Sequence, residues 1–407
     1  MNNKEVLYSK LERYVKVLTP SDEANVAQTP STPQQTTFAK MLAAELKDLG
    51  LKVTLTPHSY VMGELAANSS KKLPSVGFIA HLDTVKEFTD KPITPKLHKK
   101  YNGGKLLINA AKKLYLNPAS DKLLKLAKGH DIVSTDGTTI LGADDKAGIA
   151  IIMTMLEYFK ANPAAKHGKI YVAFTPDEEI AHGAELLPLN TFKADFAYTL
   201  DGSIDGICNG NFNGDTAIVE FVGVSTHHGL AKDIMINPLA LAAEFVSAWP
   251  QKDRPEHSHK AKGIVQFNEI SGNIEKVTIK AIVREQDLKK LKQLKKDLAA
   301  LAKKVEKKHK GAKITVKIIE SYRNMKDILK KHPAAMKFLL AALKEEKVKY
   351  TINQARGGTD GARLTFRGLP TPDISAGYSG EHGPFEWTSL DTMEKSLRLC
   401  INIVSEK

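Results

Sequence analysis

The chain has 407 residues, of which 42% are hydrophobic, and a formal net charge of +13. This length can form two domains, or one large one, around a sizeable buried core. Because the sequence has a polar start and no long uninterrupted apolar run, we expect a soluble, cytoplasmic protein that does not enter a membrane. The two cysteines, Cys208 and Cys400, do not suggest a disulfide framework and fit reduced thiols.

The positive charge raises the alternative of a nucleic-acid or anionic-surface protein. Much of the excess lies in predicted helices in which lysines are spaced between leucines, as over residues 285–310. Aromatic side chains that could stack on bases are few in these helices. We therefore predict solvated lysine faces and no nucleic-acid partner.

Hydrophobic periodicity predicts helices and strands along the whole chain. We expect a polar loop over residues 19–36, a loop-and-helix excursion over 91–129 and a helix start after Glu179. The predicted helices cover 4–17, 37–49, 145–160, 238–249, 285–310, 334–345 and 389–404. The predicted strands cover 52–56, 61–65, 76–84, 170–179, 196–201, 216–224, 264–270, 276–284, 313–319 and 348–352.

A change of composition near residues 205–215, rich in Gly and Asn, marks a domain boundary. Beyond it the predicted elements follow the order β-α-β-β-α-β, which is the ferredoxin-like order. We therefore predict an inserted α+β lid domain over residues 212–321, and a first domain formed by residues 1–211 and 322–407. An inserted domain over a cleft is a common way to close a site.

Two adjacent carboxylates stand at the entrance of the most apolar predicted helix. The stretch 134–152 reads STDGTTILGADDKAGIAII, so Asp144 and Asp145 follow a glycine directly before a buried helical run. Unpaired backbone N–H groups at a helix start tolerate anions. A helix cap with a solvated acid is the simple alternative, and the stretch by itself leaves both interpretations open.

Further polar residues follow apolar strands. His81 and Asp83 end one strand and share a face, so the carboxylate can orient the imidazole. Glu178 and Glu179 follow a second strand, Asp201 ends a third, and a Glu-His-Gly sequence with His382 lies near the C-terminus. Ligands of open α/β sheets bind at the carboxyl ends of strands, and such oxygen and nitrogen ligands suit divalent ions. Each motif alone also fits a surface residue, but four together indicate a two-metal site.

The set resembles the di-zinc aminopeptidase/carboxypeptidase-like metallopeptidases, and within them the tripeptide-aminopeptidase branch. The resemblance covers nearly the whole chain and is weakest from about residue 206 to 319. It implies an α/β fold with a zinc-exopeptidase-like mixed sheet flanked by helices. The matching motifs are TPSTPQQ at 29–35, HLDT at 81–84, TDGTTILGADDKAGIA at 135–150, FTPDEE at 174–179, TLDG at 199–202, YRNM at 322–325, RGGTDGARL at 356–364 and HGPFEW at 382–387.

By this resemblance, Asp144 bridges two zinc ions. His81 and Asp201 complete one metal site, and Glu179 and His382 complete the other. The two ions would hold a bridging hydroxide, for which Glu178 is the general base, and Asp83 would fix the tautomer of His81.

Four further residues match family positions that contact the substrate. They are His227, Asn237, Arg284 and Arg356. The family's His-Pro-Gly is His-His-Gly here, and its Arg-Asp-x-Asp is Arg-Glu-Gln-Asp, so the lid departs from the pattern more than the metal ligands do.

The sequence therefore predicts a di-zinc exopeptidase that hydrolyses the N-terminal peptide bond of short peptides, chiefly tripeptides. A related di-zinc dipeptidase, acylase or deacylase is the enzymatic alternative, and a non-catalytic basic binding protein on the same scaffold is a third. The oligomeric state stays open, with a homodimer as one option.

Overall fold

The computed structural model describes residues 2–89, 91–204, 206–258 and 262–407. Its helices are α1 (Asn3–Val15), α2 (Pro33–Asp48), α3 (Ala143–Ala161), α4 (Pro238–Ala248), α5 (Leu288–Lys308), α6 (Lys326–Lys331), α7 (Ala334–Glu345), α8 (Asp360–Phe366) and α9 (Leu390–Val404). Its strands are β1 (Lys52–Leu55), β2 (Val61–Leu65), β3 (Val76–His81), β4 (Lys96–His98), β5 (Leu106–Asn109), β6 (Leu114–Leu116), β7 (Ile132–Ser134), β8 (Ile170–Thr175), β9 (Phe196–Ser203), β10 (Gly206–Asn211), β11 (Asn213–Val222), β12 (Ile264–Gly272), β13 (Lys276–Glu285), β14 (Lys313–Tyr322), β15 (Thr351–Ala355), β16 (Asp373–Ser379) and β17 (Trp387–Ser389).

The chain forms two compact units. The first comprises Met1–Asn209, Met325–Asn353 and Thr359–Lys407, and the second comprises Gly210–Asn324 and Gln354–Gly358. The short segment Gln354–Gly358 thus belongs to the second unit, although the sequence analysis placed it in the first domain.

A large mixed sheet forms the centre of the first unit, with the strand order β1-β2-β8-β3-β9-β16-β17-β7-β4. The four central strands β8, β3, β9 and β16 are parallel to one another, and the strands that pair outside them are antiparallel. Every residue of β3 and β8 is buried, as expected for strands covered on both faces. The α/β fold class with a mixed sheet flanked by helices is therefore confirmed.

The helix α3 lies on the central sheet and is apolar almost all round. Its residues from Ala143 to Met155 are buried, and it packs against β3, α1 and α9. A helix without a polar face is stable only inside a core. On the opposite face of the sheet, Tyr60, Tyr171 and Phe192 pack with Leu364 of α8 in a separate apolar cluster.

The second unit contains a four-stranded antiparallel sheet with the order β12-β13-β11-β14. Together with α4 and α5 this gives the chain order β-α-β-β-α-β, which is ferredoxin-like. The helix α5 buries Leu291, Leu298, Ala302 and Val305 against the sheet, as its leucine stripe predicts, although Leu288 is 44% exposed.

Several element boundaries differ from the prediction. Residues 91–129 contain β4, the hairpin of β5 and β6 and a short 3₁₀ helix, Leu123–Ala127, but no α-helix, because alternating apolar residues there bury Ile108 and Leu116. The strand before Glu179 ends at Thr175. No helix follows within residues 180–195, where Gly183 and Pro188 disfavour a continuous helix. The helix α2 begins at Pro33, four residues early, because proline is favoured in a first helical turn.

Candidate metal centre

The candidate site lies at the carboxyl ends of the four central parallel strands. His81 ends β3, and Asp201 lies near the end of β9. Glu179 follows β8 by four residues, and His382 follows β16 by three. Because parallel strands point their carboxyl ends to one edge of a sheet, four segments distant in sequence deliver side chains to one place.

Two groups of potential metal ligands form there, and they share one residue. The ligand atoms of His81, Asp144 and Asp201 lie within 4.8 Å of one another, as do those of Asp144, Glu179 and His382. One carboxylate oxygen of Asp144, Oδ1, lies 2.9 Å from His81 Nε2. Its other oxygen, Oδ2, lies 3.3 Å from His382 Nε2. Asp144 therefore presents one oxygen to each group.

The same five residues were predicted as ligands from the motifs. One further distance in each group is 3.6 Å from His81 Nε2 to Asp201 Oδ1 and 2.9 Å from His382 Nε2 to Glu179 Oε2. Imidazole nitrogen and carboxylate oxygen are the donors that zinc and related divalent ions accept, and each group offers three of them. The donor set fits two such ions, and the ligand roles stay a prediction.

Asp83 lies behind both His81 and the glutamates. The Nδ1 atom of His81 lies 3.0 Å from the backbone oxygen of Asp83 and 3.3 Å from its Oδ1. The Asp83 carboxylate also accepts the backbone N–H groups of Glu178 at 3.0 Å and of Glu179 at 3.2 Å. Because oxygen atoms lie at Nδ1 of His81, its Nε2 atom is left to face Asp144 and Asp201, which is the arrangement of a metal-binding histidine. Asp83 therefore orients the imidazole and also holds the following turn, a contact not predicted from the sequence.

The charges of the site depend on close contact between acids and histidines. Hydrogen bonds with Asp144 and Glu179 raise the pKa of His382 to about 11. Burial, together with the charge of Asp144, raises the pKa of Glu179 to about 8, although His382 partly offsets this. Burial alone would raise the pKa of Asp144, but hydrogen bonds with His382 and His81 hold it below its ordinary value. Positive charge at the imidazoles stabilises the acids, and a divalent cation provides such charge at the same atoms.

Asp145, the acid next to the shared ligand, has a different surrounding. Its carboxylate is completely buried and accepts the backbone N–H of His81 at 3.2 Å and that of Gly148 at 3.2 Å. Burial and the nearby Asp201 raise its pKa well above the usual value. Asp145 thus braces the end of β3 against α3, which agrees with the assignment of the shared position to Asp144.

Glu178 sits in the same acidic surrounding. Burial raises its pKa well above the usual carboxyl value, and the nearby charge of Asp201 adds to this. A raised pKa means that this carboxyl group holds a proton more tightly than an exposed glutamate does.

Two site residues were not predicted from the sequence. The buried carboxylate of Glu386 accepts the backbone N–H groups of Leu141 and Gly142, each at 2.7 Å, and that of Asp144 at 3.0 Å. The hydroxyl of Tyr378 donates to Asp201 Oδ1 at 2.5 Å. Glu386 was within the quoted HGPFEW motif, but its three backbone partners are more than 240 positions away in the chain.

The four predicted substrate residues all lie in the second unit and have local partners there. The side chain of Asn237 caps α4 by accepting the Leu239 N–H at 3.0 Å. Arg284 donates to the backbone oxygen of Asp215 at 3.0 Å, and Arg356 donates to Ser258 Oγ at 3.1 Å. His227 is exposed and begins a short 3₁₀ turn, where it accepts the Gly229 N–H at 3.1 Å.

Fold and site together define a class of peptidase. Residues 139–406 match the model of peptidase family M20/M25/M40, and the chain belongs to this family. The predicted resemblance is therefore confirmed, as is the prediction that the chain is an enzyme of the peptidase class.

Particular relatives are similar over nearly their whole length. Peptidase T of Bacillus cereus strain Q1 is 38% identical over 405 residues, which cover 99% of this chain and 98% of that protein. The crystal structure of aminopeptidase PepT from Bacillus cereus has a TM-score of 0.74 at 19% identity, covering 98% of both chains. A tripeptidase structure from Staphylococcus aureus has a TM-score of 0.76 at 20% identity, covering 98% of this chain and 97% of that one.

Among the described residues, no helix has both the length and the apolar character that crossing a bilayer requires.

Proposed function

We propose that the chain is a cytoplasmic di-zinc aminopeptidase that removes the N-terminal residue from short peptides, chiefly tripeptides. The arrangement of Asp144 is the observation that carries this proposal, since its two oxygens face two separate ligand groups. A shared carboxylate is the usual way to hold two metal ions about 3.5–4 Å apart. Relatives named peptidase T, at 38% identity over almost the whole chain, support the substrate class.

In the proposed centre His81 and Asp201 would hold one ion, Glu179 and His382 would hold the other, and Asp144 would contribute to both. Two bound ions would polarise the scissile carbonyl and lower the pKa of a water molecule. The residues of the chain supply what such ions cannot. Asp83 fixes the direction of His81 and of the turn with the two glutamates.

Glu178 is the proposed general base. Neighbouring side chains on one turn point in different directions, so Glu179 can serve as a ligand while Glu178 faces the attacking water. Glu178 takes a proton from that water and later delivers it to the leaving amine of the peptide. The raised pKa of Glu178 supports the first step, because a carboxylate whose conjugate acid has a higher pKa is the stronger base.

Substrate recognition is proposed for the second unit, acting as a lid. His227 would contact the substrate near the reacting carbonyl, Arg284 and Arg356 would bind a charged end of the peptide, and Asn237 would add a polar contact. The local hydrogen bonds of both arginines leave part of each guanidinium available, because an arginine has five N–H donors.

A substrate panel tests the proposal. Zinc-loaded protein should be assayed on di-, tri- and tetrapeptides, on N-blocked tripeptides and on N-acyl amino acids, with metal content measured in the same preparation. We expect two metal equivalents per chain, the highest kcat/KM on tripeptides and loss of activity when the N-terminus is blocked. Preferred cleavage of dipeptides or N-acyl amino acids would identify the alternative enzymes instead, and full activity after exhaustive chelation would disprove the metal mechanism.

A further inference from the structure

The turn that carries Glu178 and Glu179 is held from behind by a distant segment. Asp177, directly before the glutamates, accepts hydrogen bonds from the backbone N–H of Ser31 at 2.8 Å and from the Ser31 hydroxyl at 2.5 Å. The side-chain amide of Gln35 donates to the same carboxylate at 2.6 Å. The side-chain oxygen of Gln35, Oε1, accepts the backbone N–H of Asp177 at 3.1 Å. One glutamine therefore contacts both the main chain and the side chain of Asp177.

This cluster of Ser31, Gln35 and Asp177 is isolated from water. Gln35 and Asp177 are 0% exposed, and Ser31 is 1% exposed. A buried carboxylate that loses a donor cannot recruit solvent, so each of these hydrogen bonds matters more than it would at the surface. Burial raises the pKa of Asp177, and the hydrogen bonds from Ser31 and Gln35 act against that rise.

The backbone of Asp177 explains why such support is needed. Its φ is 58°, in the left-handed region, which is uncommon outside glycine; aspartate tolerates it better than most residues, and surrounding contacts favour it further. The next two N–H groups, of Glu178 and Glu179, both point to the Asp83 carboxylate. The turn is therefore held by Asp83 on one side and by Ser31 and Gln35 on the other.

We propose that Gln35 and Ser31 are positioning residues for the metal centre. By holding Asp177 in its left-handed conformation, they set the directions in which Glu178 and Glu179 leave the turn. The inference rests on the proposed function, in which Glu179 is a metal ligand and Glu178 the general base. Gln35 and Ser31 act through Asp177 and are not catalytic residues themselves. The TPSTPQQ motif, which the fold alone does not explain, thereby gains a role.

The main test is Gln35→Met, which removes both the donor and the acceptor at similar side-chain length. The matched control is Gln34→Met, at the exposed glutamine one position earlier on α2. Titration of metal-free protein with Zn(II) should show that Gln35→Met weakens one of the two equivalents by about 10-fold, as loss of outer support typically does. Its kcat should fall while KM changes little, and the control should match the wild type in both measurements.

A rescue separates positioning from general damage. In Asp177→Asn one carboxylate oxygen becomes an NH₂ group, which is a donor. It then faces another donor, either the Ser31 N–H or the Gln35 side-chain NH₂, so the turn loses a hydrogen bond and metal affinity and kcat should fall. Adding Gln35→Glu turns the opposing glutamine donor into an acceptor, which can receive the asparagine amide. The double variant should therefore recover most of the metal affinity and kcat that Asp177→Asn loses.

Wild-type zinc affinity and kcat in Gln35→Met would overturn the proposal, and so would a double variant no better than Asp177→Asn alone. If Gln35→Met does not fold, Ser31→Ala removes the hydroxyl, which donates to Asp177 and accepts the Asp22 N–H at 2.9 Å, and keeps the Ser31 N–H contact. It should show a smaller loss in the same direction. A wild-type chain that binds two metals but cleaves no peptide would refute the proposed function. The comparison of zinc affinities would still decide the role of Gln35.

Discussion

The two compact units treat buried carboxylates in opposite ways. In the second unit Asp215 is completely buried, and its oxygens lie 2.6 Å from Lys295 Nζ and 2.6 Å from Arg323 Nη1. Both cations also approach the exposed Glu320, so permanent positive charge matches the acids of this group. Asp215 lies on β11, Lys295 lies on α5 and Arg323 directly follows β14. Such a group is complete without any ligand.

The first unit concentrates acids without matching cations. Among the described residues, the ion-pair partners of Asp144, Asp201 and Glu179 are the histidines His81 and His382. Burying acids in excess of permanent cations is costly unless another positive charge is bound. The presence or absence of permanent cations beside a buried carboxylate, more than burial itself, therefore distinguishes a structural acid from a candidate ligand.

The largest effect is expected at the shared ligand. Asp144→Asn leaves one neutral oxygen where two groups need a charged one each, so both metal equivalents should be lost together with activity. Metal analysis after dialysis and a kcat measurement check this. Retention of two tightly bound zinc ions would remove the distinction that we draw between the two units.

The adjacent glutamates should separate into two phenotypes. Glu178→Ala should keep both metals and lower kcat by about 10²–10⁴-fold, which is the usual contribution of a general base. Glu179→Ala should instead weaken metal occupancy, because a ligand is gone. The reverse pattern would show that the two roles are exchanged, and activity in both variants would show that the family resemblance misleads about the site.

Residues behind the ligands should have intermediate effects. Glu386→Gln loses one of the two oxygens that accept the N–H groups of the loop before Asp144. Asp83→Ala removes the carboxylate next to His81 Nδ1 and leaves the backbone oxygen in place. We expect each to reduce metal affinity or kcat/KM by about 10–100-fold. Zinc competition with a chelator measures the first quantity, and wild-type values in both variants would contradict the roles given to these carboxylates.

Metal affinity should depend on pH with a definite sign. The pKa of His382 is raised to about 11 and that of Glu179 to about 8 in the metal-free chain, so both carry protons at pH 7. Metal ligands must lose these protons, and apparent affinity should therefore rise from pH 6 to pH 8. Calorimetry in buffers of different ionisation enthalpy should detect proton release. An affinity independent of pH would contradict the assignment.

The smallest effect on catalysis is expected at Asp215 of the second unit. Asp215→Asn should lower the free energy of unfolding by about 1–3 kcal/mol, because two charged hydrogen bonds lose their anion. Zinc stoichiometry and affinity should stay at the wild-type values, since this acid already has its cations. Chemical unfolding measures the change in stability, and metal analysis measures the zinc content. A loss of zinc in Asp215→Asn would contradict the distinction between the two units.

Much of the fold and the grouping of site residues could be read from the sequence. Apolar runs that stop at His81 or Asp201 are local signals, and the rule that ligands gather at strand ends brought them together. The two ligand groups have the predicted membership, while the roles of their members stay predictions. The lysine face of α5 was also evident from its period of leucines.

Other features depended on tertiary structure. The helix expected after Glu179 is absent from residues 180–195, and the turn before them is held by hydrogen bonds with Asp83, Ser31 and Gln35, which are distant in sequence. Glu386 holds the loop before Asp144 through hydrogen bonds that join residues more than 240 positions apart. Sequence patterns depend on residues close to one another in the chain, and these patterns were enough to identify which side chains could bind a metal. Contacts between distant segments decided how those side chains are held.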